Sequence, residues 1–208
     1  LVGLNRRDLA ALVTPPVYDK LNFFNENILN ANVELSGNIH NISIDTIGLV
    51  FPDVGTLGAN GEIRHILKKE KMDCNLAFDG QIDNITRIID SNAADTVNCS
   101  ASVKGNIQYM DSLINADIAL NCQDGVITAD GSYNIADTAY NARINMERLA
   151  LSAIMPGIPL HNLSMKVTAK GKGTDILSNS MQYDADITID TLHYAGYRLH
   201  SIKAKALQ

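Results

Sequence analysis

The stretch "NCSASVKGNIQYM", residues 98–110, sets Asn98, Ser100, Ser102 and Lys104 on one side of an extended chain. Cys99, Ala101 and Val103, with Val97 just before them, fall on the other. Side chains alternate across a strand, so this spacing predicts a strand with one apolar and one solvated face. "DCNLAFDGQIDNI" (73–85) and "NLSMKVTAKGKGTDIL" (162–177) repeat the pattern. An apolar strand face must be covered, and the question is by what.

Working outward, the period of two begins near Asn30 and persists. Val33 and Leu35 alternate with polar neighbours, as do Ile42 and Ile44, and then Ile47 and Leu49 after a shift of phase. Met72, Cys74, Leu76 and Phe78 follow, then Val97, Cys99 and Val103. Ile114, Ala116, Ile118, Leu120 and Cys122 form the next strand, and Ala142, Ile144 and Met146 another. Leu163, Met165, Val167 and Ala169 precede Tyr183, Ala185, Ile187 and Ile189, and Ile202, Ala204 and Ala206 come last. Strict alternation means antiparallel sheet with one wet face. Turns are expected at Asp53-Val54-Gly55, Asn60-Gly61, Gln123-Asp124-Gly125 and Ala195-Gly196. Gly37, Gly80, Gly105, Gly131 and Gly171 each come soon after a strand's last apolar residue, and because the surrounding pattern repeats too, a degenerate repeat is favoured over glycines that merely stand near strand ends.

Helical signals are brief. Residues 5–13 have Asn5 as an N-cap and are stopped by Pro15 and Pro16; residues 83–91 and 147–159 are the other candidates. The division expected is a short helical or irregular lead-in over 1–29 and a repetitive β segment over 30–208. The sequence opens at Leu1 without an initiator Met and stops at Gln208 inside an alternating stretch, which reads as a length of a longer chain.

Composition narrows the function classes. The net charge is −6 and the cations are scattered, unlike the basic stripe of a nucleic-acid binder. Hydrophobic residues make up 46% of the chain but aromatics only 5%, so the apolar surface is aliphatic and shallow. Cys74, Cys99 and Cys122 occupy apolar strand positions; an odd count without CxxC spacing favours packed thiols over a disulfide or metal pair. His40, His65, His161, His193 and His200 lack metal-ligand spacing. "GTLGANGEI" (55–63) lacks the Gly-Lys-Ser/Thr ending of a phosphate loop and reads as a long hairpin connection. Asp184 and Asp186 share a polar strand face, where solvated acids are commoner than a metal site. These signals point to a non-catalytic protein without cofactor or metal.

A sheet of this kind can pack on a second sheet, close into a barrel or curl into a trough. The scarcity of aromatics favours a trough over a filled sandwich. Leaving an acyl chain of about 14 methylenes in water costs on the order of 11 kcal/mol, at about 0.8 per CH₂. A groove lined by aliphatic side chains removes that cost without polar site residues. Its expected lining is Val33, Leu35, Ile42, Ile44, Met72, Cys74, Leu76, Phe78, Val97, Cys99, Val103, Ile114, Ile118, Leu120, Leu163, Met165, Val167, Tyr183, Ile187 and Ile189. The alternative is a structural β-sandwich or solenoid scaffold that carries no lipid.

"ELSGNIHNISID" (34–45), "LALSAIMPGIPLHNLSMKVTAKGKGTDIL" (149–177) and "DADITIDTLHYAGYRLHSIKAKA" (184–206) carry a resemblance. In the last of these a strand, the Tyr194-to-Tyr197 connection and a second strand follow in turn. The chain resembles the TamB branch of the AsmA-like proteins of Gram-negative bacteria, by strand style rather than by diagnostic residues. The resemblance implies a U-shaped groove with an apolar interior in the periplasm, in a parent protein anchored in the inner membrane. It implies phospholipid acyl chains as cargo, a role in outer-membrane biogenesis, and a BamA-type barrel protein as the parent chain's partner. No catalytic residue carries over.

Overall fold

The computed structural model describes residues 2–4, 29–52, 54–83, 85, 100–123, 125–154, 158–173 and 182–207. They form one open antiparallel sheet in which every strand pairs with its sequence neighbours, in the order β1 to β12. A three-residue strand, β1 (Val2–Leu4), is followed by eleven long ones. These are β2 (Leu29–Gly37), β3 (Asn41–Phe51), β4 (Gly55–Arg64), β5 (Asp73–Ile82), β6 (Ala101–Met110) and β7 (Leu113–Cys122). Then come β8 (Gly125–Asn134), β9 (Ala139–Leu149), β10 (Leu160–Lys172), β11 (Gln182–Tyr194) and β12 (Tyr197–Leu207). A four-residue helix, α1 (Leu151–Ile154), and a 3₁₀ turn at Lys69–Lys71 sit in connections.

Hairpin chemistry fixes this order. Asp111 and Ser112 join β6 to β7, both with positive φ (50° and 66°), and Ala195 and Gly196 join β11 to β12 in the same way (48° and 86°). Two left-handed residues match the right-handed twist of the flanking strands, which makes the tightest connection and pins register. At the β2–β3 turn the Asn38 side chain accepts from the backbone N–H groups of His40 and Asn41, at 2.9 and 3.1 Å. The phase shift between Ile44 and Ile47 is a bulge in β3: two positions separate Val33 from Leu35 on β2, but three separate their partners. Asp45 there accepts from the hydroxyls of Ser36 (3.0 Å) and Ser43 (2.9 Å), which ties the extra residue down. Further register shifts interrupt the β9–β10 and β10–β11 ladders. Arg148 and Asn162 have positive φ at those points, so the strands bend there.

Four expectations need correction. Asn60-Gly61 is no turn, because both residues lie inside β4; "GTLGANGEI" is thus a strand and not a connection. Of the helix expected over 147–159, only Leu151–Ile154 is helical among the described residues, because β9 runs through Leu149 and residues 158–159 are irregular. Met72 lies just before β5 rather than within it. Gly80, Gly105, Gly131 and Gly171 are strand-interior residues. The helix expected at 5–13 lies outside the described residues, as does most of the one at 83–91.

The sheet is a single layer. Substantial packing joins each strand to its sequence neighbours, and α1 to β10. Among the described residues no second sheet faces the first, unlike the two-sheet sandwich, and β12 has no neighbour beyond β11, unlike a barrel. The buried cluster is correspondingly small and off-centre: Ile85, Ala101, Leu149 and Leu163, with Leu120, Met146, Leu151 and Leu160 among the residues packed on it.

Candidate functional site

Cross-strand register shows which side chains share a face, because directly opposed residues point the same way. Starting at Val33, the partners run Ile47, Ala59, Phe78, Gly105, Ile118, Ala129, Ile144, Val167, Ile187 and Ala204. This row crosses every strand from β2 to β12 without one polar side chain.

Rows on either side repeat the result. From Leu35 the partners are Ile44, Gly61, Leu76, Ile107, Ala116, Gly131, Ala142, Ala169, Ala185 and Ala206. From Ala31 they are Leu49, Leu57, Gly80, Val103, Leu120, Ile127, Met146, Met165, Ile189 and Ile202. A fourth row, towards one set of strand ends, runs from Gly37 through Ile42, Ile63, Cys74, Tyr109, Ile114, Tyr133, Tyr140 and Gly171 to Tyr183. At the opposite strand ends lie Ile82, Ala101 and Cys122, and the paired Leu149 and Leu163. The intervening positions are polar, as in Asp79, Lys104, Asn145, Lys166, Thr188 and Lys203. Exposed ion pairs lie on that side, Arg143–Asp130 at 3.8 Å and Lys170–Asp184 at 3.6 Å among them.

Of the lining residues expected from sequence, the register brings seventeen onto this one face. Met72 lies outside the rows, and Val97 and Cys99 lie outside the described residues. Sequence reasoning missed Leu57, Ile63, Tyr109, Ile127 and Tyr133. The signal that finds them is a strand reading in which glycine counts as an apolar-face residue.

The glycines have a packing role there. A Cβ at Gly105 would lie 2.6 Å from Cζ of Phe78 and would also meet the Asp117 carbonyl oxygen, so the ring covers the space. Gly171 stands likewise under Tyr140, whose hydroxyl would be 2.7 Å from an added Cβ. Around Gly105 the single layer is thin, and a hollow of about 380 Å³ takes its lining from both faces, Phe78 and Ile118 from one and Lys104 and Asp117 from the other.

The apolar face is only partly covered. Ile118, on a central strand, remains 38% exposed, and Val33 and Leu35 remain 52% and 57% exposed. Leu149 is the contrast, at 1%. The titratable side chains in the rows are Cys74 and the tyrosines Tyr109, Tyr133, Tyr140 and Tyr183. The Cys74 thiol is pushed above its ordinary pKa, chiefly by burial and secondarily by the Asp73 charge, and both disfavour the reactive thiolate. Asp184, one of two acids considered for a metal, lies between Lys170 and Lys205 (3.4 Å to the latter). The Ser152 hydroxyl and His161 Nδ1 are 2.7 Å apart, but their side chains belong to the β9–β10 connection and the start of β10.

Comparison with known proteins found no matching family model, no matching curated protein and no matching solved structure.

Proposed function

We propose that the chain is a non-catalytic length of β-groove whose apolar face shields the acyl chains of phospholipids. The observation that supports this most is the set of adjacent rows that cross the sheet from β2 to β12 without a polar side chain, while central members such as Ile118 stay exposed. A face of that extent stays stable in water only when something apolar lies against it. Mobile cargo of variable length suits an aliphatic lining, because acyl chains need solvation and not specific contacts.

In this reading the sheet curls about the rows, with the bulges at Ile44–Ile47, Arg148 and Asn162 supplying bends, and cargo moves from strand to strand along them. Glycine and alanine, frequent in the row that starts at Leu35, keep the floor low enough for a chain to pass. The four tyrosines of the outer row, Tyr109, Tyr133, Tyr140 and Tyr183, suit a boundary between apolar interior and water, since the ring buries and the hydroxyl stays wet. The resemblance in strand style to the TamB branch supports a periplasmic setting for this work. There the parent chain, held in the inner membrane, would pass phospholipid towards the outer membrane and support its biogenesis beside a BamA-type barrel.

The test is whether lipid accompanies the protein. Purified from a Gram-negative periplasm in mild detergent and sprayed under native conditions, the protein is expected to carry phospholipid mass increments. Ile118→Asp should lose most of them while Asn121→Asp, on the other face, should not. Lipid-free wild-type protein, or equal occupancy in both variants, would defeat the proposal.

A further inference from the structure

The two sets of strand ends treat apolar residues in opposite ways. At the ends that hold Leu149, apolar groups are packed in, and Val54, Ile85 and Leu163 are buried as well. The exposed exceptions there, among the described residues, are Val50 and, on β11 and β12, Tyr194, Tyr197 and Leu199.

The opposite ends lie beyond the row that carries Tyr109, Tyr133, Tyr140 and Tyr183. Here four turns raise apolar side chains into solvent. Ile39 stands in the β2–β3 turn and Leu67 in the β4–β5 connection; Met110 and Leu113 flank the β6–β7 turn, and Ile135 opens the β8–β9 turn. Their exposure runs from 37% at Leu113 to 70% at Ile39. Neighbouring turns are tied in pairs: the Ile66 N–H donates to the His40 carbonyl at 3.2 Å, and the Ile135 N–H to the Ser112 carbonyl at 2.8 Å.

The polar–apolar alternation breaks at these tips. Met110 and Leu113 are cross-strand partners on the side where Gln108, Asn115 and Ser132 are polar, so both sides of the sheet end here in apolar residues. A tip that is apolar on both sides suits insertion into an apolar medium. Tyr109 and Tyr133 stand one and two residues behind Met110 and Ile135, at about 3.4 Å per residue. Amphipathic rings at that depth suit the headgroup layer of a membrane.

Charge points the same way. In a chain of net charge −6, the β4–β5 connection (residues 65–72) holds Lys68, Lys69 and Lys71 against Glu70 alone. Lys68 and Lys71 are exposed and follow Leu67 in the chain, where lipid phosphates would lie. Asp111 and Asp137 are the acids of the other two turns, and Asp137 is engaged by Lys172 at 3.3 Å.

We propose that these strand ends dock on the surface of a lipid bilayer, the four turns inserting their apolar tips while Lys68 and Lys71 meet lipid phosphates. A fluid bilayer accepts side chains scattered over separate turns, whereas a protein partner would need a matching socket for each. The strands then stand upright on the membrane, and the apolar rows run along it. The inference does not rest on cargo in those rows.

The test is flotation with vesicles of phosphatidylcholine and phosphatidylglycerol in a three-to-one mixture. Wild type should float with them. Met110→Ser/Ile135→Ser should weaken binding at least about tenfold, and Lys68→Glu/Lys71→Glu by about tenfold. All four side chains are exposed, so both variants keep the fold, as circular dichroism would verify. Ile118→Asp should float as wild type does, which separates docking from cargo binding. The chain has no tryptophan, so Met110→Trp reports on one tip alone. Its emission should shift to the blue and be quenched by brominated lipid, and that of Gln123→Trp, at the opposite strand ends, should not. No flotation of wild type, undiminished flotation of either double variant, loss of flotation in Ile118→Asp, or equal quenching in the two single variants would overturn the proposal. So would self-association in place of flotation, relieved by Met110→Ser/Ile135→Ser, which would show that the tips meet protein.

Discussion

Leu149 and Ile118 are aliphatic residues on the same face of the same sheet, yet they live in different surroundings. Leu149 is paired with Leu163 at one set of strand ends and clustered with Ile85 and Ala101, at 1% exposure. Ile118 lies mid-strand in the centre of the sheet and keeps 38% of its surface. Identical chemistry thus serves two ends. Where α1 packs back onto the strands, the apolar face becomes core. Where no described element folds back, it stays available. The lesson is that alternation alone marks an apolar face but does not tell which part of it the protein itself covers.

Substitutions can break this comparison, beginning with the largest effect. Leu149→Ala removes a fully buried side chain and should cost about 2–5 kcal/mol in urea unfolding, with lipid occupancy per folded molecule unchanged. A loss below about 1 kcal/mol would mean that the cluster is no core. Gly105→Ala drives a Cβ against the Phe78 ring and the Asp117 carbonyl, and should cost about 1–3 kcal/mol. Stabilisation instead would show that the ring does not sit over the glycine. Ile118→Asp should cost clearly less than Leu149→Ala, because Ile118 already keeps 38% of its surface exposed. A cost comparable with that of Leu149→Ala would erase the distinction between the two regions.

The smallest effect lies away from the apolar face, in the β8–β9 turn. Asp137 accepts from the Ala139 backbone N–H at 3.2 Å and lies 3.3 Å from Lys172. The backbone hydrogen bond, helped by Lys172, holds its carboxyl below its ordinary pKa. A depressed folded pKa adds stability above the unfolded value, and that stability is lost as pH falls through the folded one. Wild type should therefore exceed Asp137→Asn slightly at about pH 7, with the gap closing at about pH 2. A gap that widens in acid would reverse the assignment.

Much of the fold was legible where large aliphatic residues alternate. Ile114 to Cys122 and Leu163 to Ala169 declare their strands, and the shift between Ile44 and Ile47 declares a bulge. β4 was not legible, because its apolar-face residues include Ala59 and Gly61, which carry little hydrophobic signal and look like turn chemistry. β8 hid for the same reason behind Ala129 and Gly131. Residues 147–159 misled because Leu149 and Leu151 fit either period, and Arg148 with positive φ breaks the alternation that would have decided it. The face itself was readable strand by strand. Its continuity was not, since register between strands depends on turn geometry and bulges that no single strand encodes.

The central claim is that the uncovered part of the apolar face is occupied by lipid. The most direct measurement places a photocrosslinking residue at Ile118 on that face and, separately, at Asn121 on the other, with expression in a Gram-negative periplasm and mass spectrometry of the adducts. Phospholipid adducts at Ile118 and none at Asn121 are expected. Crosslinks from Ile118 confined to the protein itself, with no lipid at either position, would contradict the account and make the face a protein-covered core.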